Sequence, residues 1–298
     1  MNELNLYIDK LKNSQINGEG NLCIDSNEKA HFPLATVFTI SLNSAATIEK
    51  TILSVISQNL KNYEYIIVDG GSTDGTVEVI KKYAKYLSYW ISEEDAGPAD
   101  AVNKAIALSR GKYLYWLNSD DWVDSSYLSV AINVLETNPE ADFVYGNLNY
   151  YDENGRFSST EKGDLNYAKK IQYEMPRINP PSIVLKKNVF TKIGLVNTNL
   201  YVASDYDLFL RLHVSGGYGV YSDQLYAHHR LGGISSKHVF RGLREIRKAA
   251  ISNGSSFFIT NYFYYKYLIR VRIKFFLKKI LNEKSYLLVI KTFKKRIK

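Results

Sequence analysis

Apolar runs alternate with helix-like segments along the chain from Pro33 to Asn118. Four apolar runs predict buried strands: ATVFTISL, EYIIVDG, SYWISE and KYLYWLN. Between them, AATIEKTILSVISQ, TVEVIKKYAKYL and PADAVNKAIALSR carry apolar residues at the spacing of one helix face. Continuous apolar strands that alternate with helices predict an α/β fold, with a mostly parallel sheet flanked by helices.

The pattern changes after residue 140. The segment FVYGNLNYYDENGRF predicts a hairpin around Glu153–Gly155, PSIVLKK and GYGVYSDQLYAHHR predict strands, and SDYDLFLRLHV predicts a helix. The chain beyond residue 236 reads as mostly helical. We therefore predict a polar N-terminal lead-in over 1–32, one α/β domain over 33–236 and a helical extension over 237–298.

Composition narrows the class of protein. Hydrophobic residues make up 45% of the 298 residues, which excludes bulk disorder. Cys23 is the only cysteine, so an intrachain disulfide and a cysteine-based metal cage are both excluded. The first residues lack the layout of a secretory signal, and no run of eighteen apolar residues occurs. We therefore expect a cytoplasmic protein without a membrane-spanning helix.

Charge is distributed unevenly along the chain. Residues 237–298 hold 17 of the 38 Lys and Arg residues and two acids, a net charge of +15, whereas the rest of the chain carries −7. Within 262–280 one helix face holds Tyr262, Ile269, Ile273, Phe276 and Ile280, and a neighbouring face holds Lys266, Arg270, Lys274 and Lys278. This pattern favours a helix lying on an anionic membrane, at the inner face of the cell membrane, and the alternative is a helix packed on the α/β domain.

Polar residues follow each of the four strands at the point where the strand ends. They are Ser41 and Asn43, Asp69 to Ser72, Glu93 to Asp95, and Asn118 to Asp121. Ligands bind at the carboxyl ends of parallel strands, and crowded carboxylates require a cation between them. Oxygen ligands without nearby His or Cys favour Mg²⁺ or Mn²⁺. An ion held by one or two carboxylates keeps other coordination positions for substrate phosphates. The alternative is that these residues only cap helices and turns.

Five motifs occur in order: TISLN, IIVDGGSTDGT, WISEEDAGPADAVNKAI, GKYLYWLNSDD and SDYDLFLRL. Together they resemble the family 2 glycosyltransferases of the GT-A (Rossmann-like) fold, of the bacterial type that builds O-antigen and capsule polysaccharides. The resemblance covers Pro33 to Ile234. It implies an inverting glycosyltransferase that moves a sugar from a nucleotide-sugar, a UDP-sugar, to the hydroxyl of a lipid-linked glycan, with Mn²⁺ or Mg²⁺ bound.

The resemblance also assigns roles to individual residues. Asp205 aligns with the catalytic base, Asp69 with the group that binds the base of the nucleotide, and Asp120, with Asp121 beside it, with the metal ligand. Asn118 stands where the family's acidic DxD motif normally begins. The residues implied to contact the nucleotide-sugar are Ser41, Asn43, Asp69, Asp95, Asp100, Asn103, Lys104 and Asn118.

The stretch HHRLGGISS, residues 228–236, follows the last predicted core strand. It is basic and contains glycine, so it can close over the donor, with His229 or Arg230 meeting the diphosphate. The alternative is that its two histidines are ordinary strand-end residues.

Two other functions compete with the glycosyltransferase hypothesis. A metal-dependent sugar nucleotidyltransferase normally carries a glycine-rich loop with a basic residue after its first strand, and TISLNSAATIEK has none. A non-catalytic protein that binds anionic surfaces would account for the basic extension. Nucleic acid is not a predicted partner, because the acidic body repels phosphate chains.

Overall fold

A computed structural model of the chain describes residues 19–20, 32–174 and 178–281. Almost all of the predicted lead-in over 1–32, and residues 282–298 of the predicted extension, lie outside the described residues. Ten strands are present in this part of the chain: β1 Glu19–Gly20, β2 Ala35–Ser41, β3 Tyr63–Asp69, β4 Tyr89–Ser92, β5 Tyr113–Trp116, β6 Trp122–Val123, β7 Phe143–Tyr151, β8 Phe157–Glu161, β9 Ile183–Lys186 and β10 Gly219–Arg230.

The same residues form ten α-helices: α1 Ile48–Ile56, α2 Thr76–Lys82, α3 Pro98–Leu108, α4 Tyr127–Thr137, α5 Tyr167–Lys170, α6 Val189–Ile193, α7 Ser204–Val214, α8 Ile234–Lys237, α9 Val239–Ser252 and α10 Phe257–Ile280. Pro98 begins α3, at a position where proline's fixed φ and missing N–H cost nothing.

The strands form a single sheet in the order β1-β4-β3-β2-β5-β9-β7-β10-β6, with β8 added beside β7. Strands β4, β3, β2 and β5 are parallel, as are β7 and β10. The antiparallel strand β9 joins these two parallel groups. The predicted α/β class with a largely parallel, helix-flanked sheet is confirmed. Strands β2 to β5 pair with one another only in parallel, and their antiparallel partners are β1 and β9.

The buried strands divide their side chains between two cores. Val37 and Ile67 pack on one face of the sheet, with α1 and α4, while Phe38 and Ile66 pack on the other, with α3 and α7. This follows from the alternation of side chains along a strand. Because both faces are covered, polar side chains gather at the strand ends.

Helices α9 and α10 follow the sheet, as the helical reading of the extension predicted. α9 packs against α7 and against α10. In the part of the chain that the structure describes, no helix combines the length and apolar character needed to span a bilayer. The two alternatives concern residues 262–280, which lie in α10, and α10 packs against α9 while leaving many of its apolar side chains exposed.

Candidate active site at the strand ends

Asp69 joins the ends of three neighbouring strands. Its Oδ1 accepts hydrogen bonds from Ser41 Oγ at 2.8 Å and Ser72 Oγ at 2.6 Å. Its Oδ2 accepts hydrogen bonds from Ser72 N at 2.8 Å and Ser92 Oγ at 2.7 Å. Asp69 is fully buried, and these bonds fill the acceptor positions of its carboxylate. Both side chains hold the sheet edge together, and their contacts with a nucleotide remain predictions.

Asn43 shapes the loop that follows β2. Its backbone N–H donates to Ser72 Oγ at 2.7 Å, and its Oδ1 accepts from the N–H of Thr73 at 3.0 Å. The residue has a φ of 48°, a left-handed conformation that asparagine tolerates better than most residues. Asn43 is exposed at the strand-end edge, where the sequence predicted it.

Asp95 lies in a gap that Gly70 leaves open. A Cβ atom on Gly70 would be 2.6 Å from Asp95 Oδ2 and 3.5 Å from Leu42 Cδ1. Asp95 Oδ1 accepts a hydrogen bond from Gly97 N at 2.8 Å. Burial raises the pKa of Asp95, although the Gly97 amide and the charge of Lys104 act in the opposite direction. Leu42 is 57% exposed, so an apolar surface adjoins this half-buried carboxylate. The sequence did not predict Leu42 or Gly70 as site residues.

Lys104 balances acids at the start of α3. Its Nζ lies 2.7 Å from Glu93 Oε1 and 3.6 Å from Asp100 Oδ2. Asp100 Oδ2 also accepts from the N–H of Ala96 at 3.2 Å. Lys104 is only 7% exposed and its charge faces these protein carboxylates, while its contact with the donor remains a prediction. Asp100 remains partly exposed at the edge.

Asn103 faces away from the strand ends. Its Nδ2 donates to the carbonyl of Val196 at 2.9 Å, and its Oδ1 accepts from the N–H of Val196 at 2.9 Å. The side chain is buried, and its predicted nucleotide contact remains a prediction. Asn103 instead pins the segment before α7 to α3.

Asp121 is the centre of a buried hydrogen-bond network. Its Oδ1 contacts His229 Nδ1 at 2.8 Å and accepts from Arg230 N at 3.3 Å, and its Oδ2 accepts from Asn118 Nδ2 at 3.2 Å. Asn118 Oδ1 in turn accepts from Trp116 Nε1 at 2.8 Å. Asp121 is fully buried and engaged by these three groups, and its role as a metal ligand remains a prediction. Asn118 is partly exposed, and its predicted contact with the nucleotide-sugar remains a prediction.

The Asp121 carboxylate determines the tautomer of His229. A carboxylate only accepts hydrogen bonds, so Nδ1 of His229 carries a proton and donates it. Nε2 then has a free lone pair whenever the imidazole is neutral. Burial lowers the pKa of His229, but the negative charges of Asp121 and Asp120 outweigh burial and raise it overall.

Asp120 points toward the loop after β10. A Cβ atom on Gly233 would be 3.3 Å from Asp120 Oδ2. Burial and the charge of Asp121 raise the pKa of Asp120 to about 6, although His229 and Arg230 pull it down. Across residues 32–174 and 178–281, no three or more His, Cys, Asp and Glu residues are arranged to hold a metal.

The stretch 228–236 runs from the end of β10 past Asp120. Arg230 Nη2 donates to the carbonyl of Glu153 in the β7–β8 turn. A Cβ atom on Gly232 would lie 3.0 Å from Glu153 Oε1. His228 stacks on Trp122 with ring centroids 5.3 Å apart, an ordinary strand-end contact. The two histidines contact different acids: His229 Nδ1 contacts Asp121, and His228 Nε2 lies 3.3 Å from Asp124 Oδ1.

Asp205 lies in the first turn of α7. Its Oδ1 accepts from the N–H of Tyr206 at 2.8 Å, and burial raises its pKa to about 6. The neighbouring Asp207 pairs with Arg211 Nε at 2.8 Å, which agrees with a supporting role. Tyr201, just before α7, has a ring carbon 3.9 Å from the Cβ position of Gly97. The segment that carries Asp205 thus adjoins the loop that carries Asp95.

Comparisons with known proteins place this arrangement among glycosyltransferases. The sequence profile of Glycosyl transferase family 2 matches residues 36–194. An uncharacterized glycosyltransferase of Rickettsia typhi is 28% identical over 199 residues, which cover 64% of this chain and 62% of that protein. A PGL/p-HBAD biosynthesis glycosyltransferase of Mycobacterium tuberculosis is 28% identical over 185 residues, covering 60% of this chain and 69% of that protein.

Two solved structures share the fold at lower identity. S. aureus TarS 1–349 in complex with UDP has a TM-score of 0.56 and 18% identity, over 78% of this chain and 70% of that one. The mannosyltransferase PcManGT from Pyrobaculum calidifontis, in complex with GDP-Man and Mn²⁺, has a TM-score of 0.54 and 13% identity, over 99% and 88% of the two chains. These similarities support the GT-A fold that the motifs implied. The chain spans about 62% of the length of the Rickettsia typhi relative.

Proposed function

The chain belongs to glycosyl transferase family 2, and we propose that it transfers a sugar from a nucleotide-sugar to an acceptor hydroxyl at the acidic end of its sheet. One observation carries this proposal. Asp120 and Asp121 are adjacent, yet Asp121 is fully buried beneath His229, while the Asp120 carboxylate faces the glycine loop. A carboxylate and an imidazole in this arrangement suit a cation and the diphosphate of a donor.

The cation is proposed to be Mn²⁺ or Mg²⁺, held by Asp120 and His229. These ions accept few protein ligands and keep places for phosphate oxygens, so two protein ligands are sufficient. The raised pKa of Asp120 reflects negative charge crowded in a buried place, which a cation relieves. When bound, the cation offsets the charge that develops on the leaving diphosphate.

The donor is proposed to be a UDP-sugar whose base lies between Leu42 and Asp95. The exposed Leu42 side chain offers an apolar surface for a flat ring, and the Asp95 carboxylate lies beside it, in the space that Gly70 leaves open. No described hydrogen bond engages Asp95 Oδ2, so this oxygen is available to accept from the N3–H of uracil. Asp95 thereby takes the role that the family resemblance had given to Asp69.

Asp205 is proposed as the base of an inverting reaction. Its carboxylate removes the proton from the acceptor hydroxyl while the hydroxyl oxygen attacks the anomeric carbon from the face opposite the diphosphate. A new carbon–oxygen bond forms, and the diphosphate leaves with the electron pair of the broken bond. A pKa of about 6 keeps this base ionised at neutral pH while leaving it a competent proton acceptor.

The acceptor is proposed to be a lipid-linked glycan in surface-polysaccharide synthesis, at the inner face of the cell membrane. Helix α10 supports this proposal, because Phe258, Tyr262, Ile269, Phe276 and Ile280 are each more than half exposed along it. Lysine and arginine residues stand beside these apolar residues. Exposed apolar and basic side chains together match an anionic lipid surface.

The test of this function is sugar transfer or hydrolysis with a panel of UDP-sugars, measured with Mn²⁺ and with EDTA. Asp120→Asn is expected to lose at least about 90% of the rate, because one metal ligand loses its charge. Asp124→Asn is the matched control, since Asp124 is a nearby aspartate just after β6 whose side chain is 70% exposed. Full activity of Asp120→Asn, or no effect of EDTA, would overturn the metal assignment. Absence of turnover with every nucleotide-sugar tested would overturn the function.

A further inference from the structure

Glu245 in helix α9 contacts the backbone immediately before the helix of Asp205. Its Oε2 accepts hydrogen bonds from Val202 N at 2.7 Å and from Ala203 N at 3.1 Å. Ala203 is the residue that directly precedes α7, and Asp205 follows two positions later. One carboxylate oxygen therefore holds the two amides that lead into the turn of the proposed base.

The carboxylate of Glu245 is largely buried and charged. Its side chain is only 11% exposed, and Oε1 lies 2.6 Å from Nε of Arg241. Burial raises the pKa of Glu245, but the amides of Val202 and Ala203 together with Arg241 outweigh burial and lower it overall. Glu245 is thus held in the charged form, which makes stronger hydrogen bonds to amides than a neutral acceptor.

Helix α9 approaches this segment closely because of a glycine. A Cβ atom on Gly242 would lie 3.0 Å from Val202 Cγ1, so a larger residue there would push the helix outward. Arg241, one residue earlier, stacks over the ring of Tyr201 at 4.5 Å. Three successive residues before α7 are therefore contacted from α9 rather than from the sheet.

These contacts come from a part of the chain that the family profile does not cover. The profile ends at residue 194, whereas Asp205 and Glu245 both lie beyond it. The position of Asp205 thus depends on packing between α7 and the helical extension. Misplacing a catalytic group by about 1 Å can lower a rate by about 100-fold, so such packing can control turnover.

We propose that Glu245 is a positioning residue that fixes the carboxylate of Asp205 through the backbone of Val202 and Ala203. This inference rests on the proposed role of Asp205 as the base. It predicts that the helical extension is required for catalysis itself, separately from any contact with a membrane. The position of one acceptor oxygen between the two amides is the main feature, and the charge of Glu245 strengthens the two hydrogen bonds.

Two variants and one control test this role in the full-length protein. Glu245→Ala removes the acceptor and is expected to lower kcat by about 10- to 100-fold, with KM for the donor changed less than about threefold. Glu245→Gln keeps a carbonyl oxygen for both amides and is expected to retain kcat within about threefold of the parent, because the partly exposed Arg241 pair contributes little. Asn253→Ala is the control: Asn253 Nδ2 donates to Asp207 Oδ1 at 3.2 Å, joining the same two helices at a different point.

Thermal unfolding separates positioning from loss of structure. If Asn253→Ala lowers Tm as much as Glu245→Ala but keeps kcat, the loss in Glu245→Ala is one of positioning. Equal kcat values for Glu245→Ala and the parent would overturn the inference, as would an equal loss in Glu245→Ala and Glu245→Gln. Asp205→Asn in the same assay separates a failure of the proposed base from a failure of the positioning role. If Asp205→Asn retains full turnover, Asp205 is not the base, whatever the result for Glu245.

Discussion

The imidazole of His229 donates a 2.8 Å hydrogen bond from Nδ1 to the carboxylate of Asp121. This bond gives two adjacent acids different roles. Asp121 becomes a buried partner that orients the imidazole, and Asp120 remains the acid beside the glycine loop. Carboxylates that orient a histidine in this way raise its basicity and fix which nitrogen is free to bind a metal.

Asp121→Asn is predicted to weaken Mn²⁺ binding without removing a ligand. Loss of the Asp121 charge removes the main influence that raises the pKa of His229. An asparagine side chain also holds the imidazole less firmly, and changes of this kind cost about 10- to 100-fold in metal affinity. The measurement is Mn²⁺ titration by calorimetry with UDP present, and Asp124→Asn serves as the control.

The pH dependence of the same titration gives a second readout. A protonated imidazole cannot bind a metal, so Mn²⁺ affinity should fall as pH drops through the raised pKa of His229. In Asp121→Asn this fall should move to lower pH, because the imidazole loses its negative neighbour. An Asp121→Asn protein with parental affinity and pH dependence would show that Asp121 does not act through His229.

Asp69 and Asp95 are predicted to respond to substitution in opposite ways. Asp69→Ala leaves four hydroxyl or amide donors at the sheet edge without their acceptor, so it should lower the free energy of unfolding by roughly 3–5 kcal/mol. Asp95→Ala removes a half-buried edge group and should leave Tm nearly unchanged while weakening UDP binding about 10-fold or more. Denaturant unfolding and calorimetry with UDP measure the two effects.

Gly70→Ala is a matched test of the same base site. Its new Cβ would lie 2.6 Å from Asp95 Oδ2, so the carboxylate must move. UDP affinity should therefore fall in Gly70→Ala as it does in Asp95→Ala. If Asp95→Ala bound UDP normally and a folded Asp69→Ala did not, the family assignment of Asp69 would be right and the one made here wrong.

The sequence predicted the sheet edge better than it predicted the side chains on that edge. Apolar runs and helical periodicity are properties of local segments, and they located β2 to β5 and the polar strand ends. Which acid faces outward depends on partners far along the chain. Asp121 is buried because His229, 108 positions later, bonds to it. No local pattern carries that information.

The same reason explains the residues that the sequence missed. Gly70 reads as one of two glycines in a turn, and only the packed structure shows Asp95 filling the space of its missing side chain. Glu245 reads as a single acid in a basic segment, yet it bonds to amides 42 and 43 positions earlier. The motif that contains Asn103 and Lys104 predicts both at the edge of the sheet. In helix α3 both side chains are buried and contact other protein groups.

Helix α10 is predicted to hold the protein on anionic membranes. Replacing Lys266, Arg270, Lys274 and Lys278 with Glu should release it from vesicles that contain phosphatidylserine, because each basic residue near the surface contributes about 1 kcal/mol. A control with the same change of charge replaces Lys61, Lys81, Lys82 and Lys85, which are exposed on the α/β domain. Co-sedimentation measures both proteins. If both variants leave the vesicles equally, net charge rather than α10 causes the binding. If neither variant leaves the vesicles, the role of α10 is rejected.

Asp205 is predicted to determine how the rate depends on pH. A base acts in its ionised form, so kcat should rise with pH and level off above the Asp205 pKa of about 6. Burial raises this pKa above that of aspartate in the unfolded chain, so the ionised group destabilises the fold. The contribution of Asp205 to stability therefore falls as pH rises from the unfolded pKa of about 3.9 through the folded value.

Asp205→Asn separates these two effects and tests the reaction's stereochemistry. The amide keeps the size of the side chain but takes no proton, so kcat should fall by roughly 10²- to 10⁴-fold while UDP affinity stays within about twofold. Tm at pH 7 should stay equal or rise, because the buried charge is gone. NMR of the product made by the parent protein should show a β-linkage from an α-linked donor. Retained configuration would reject single displacement, whereas normal turnover of the variant would reject only Asp205 as its base.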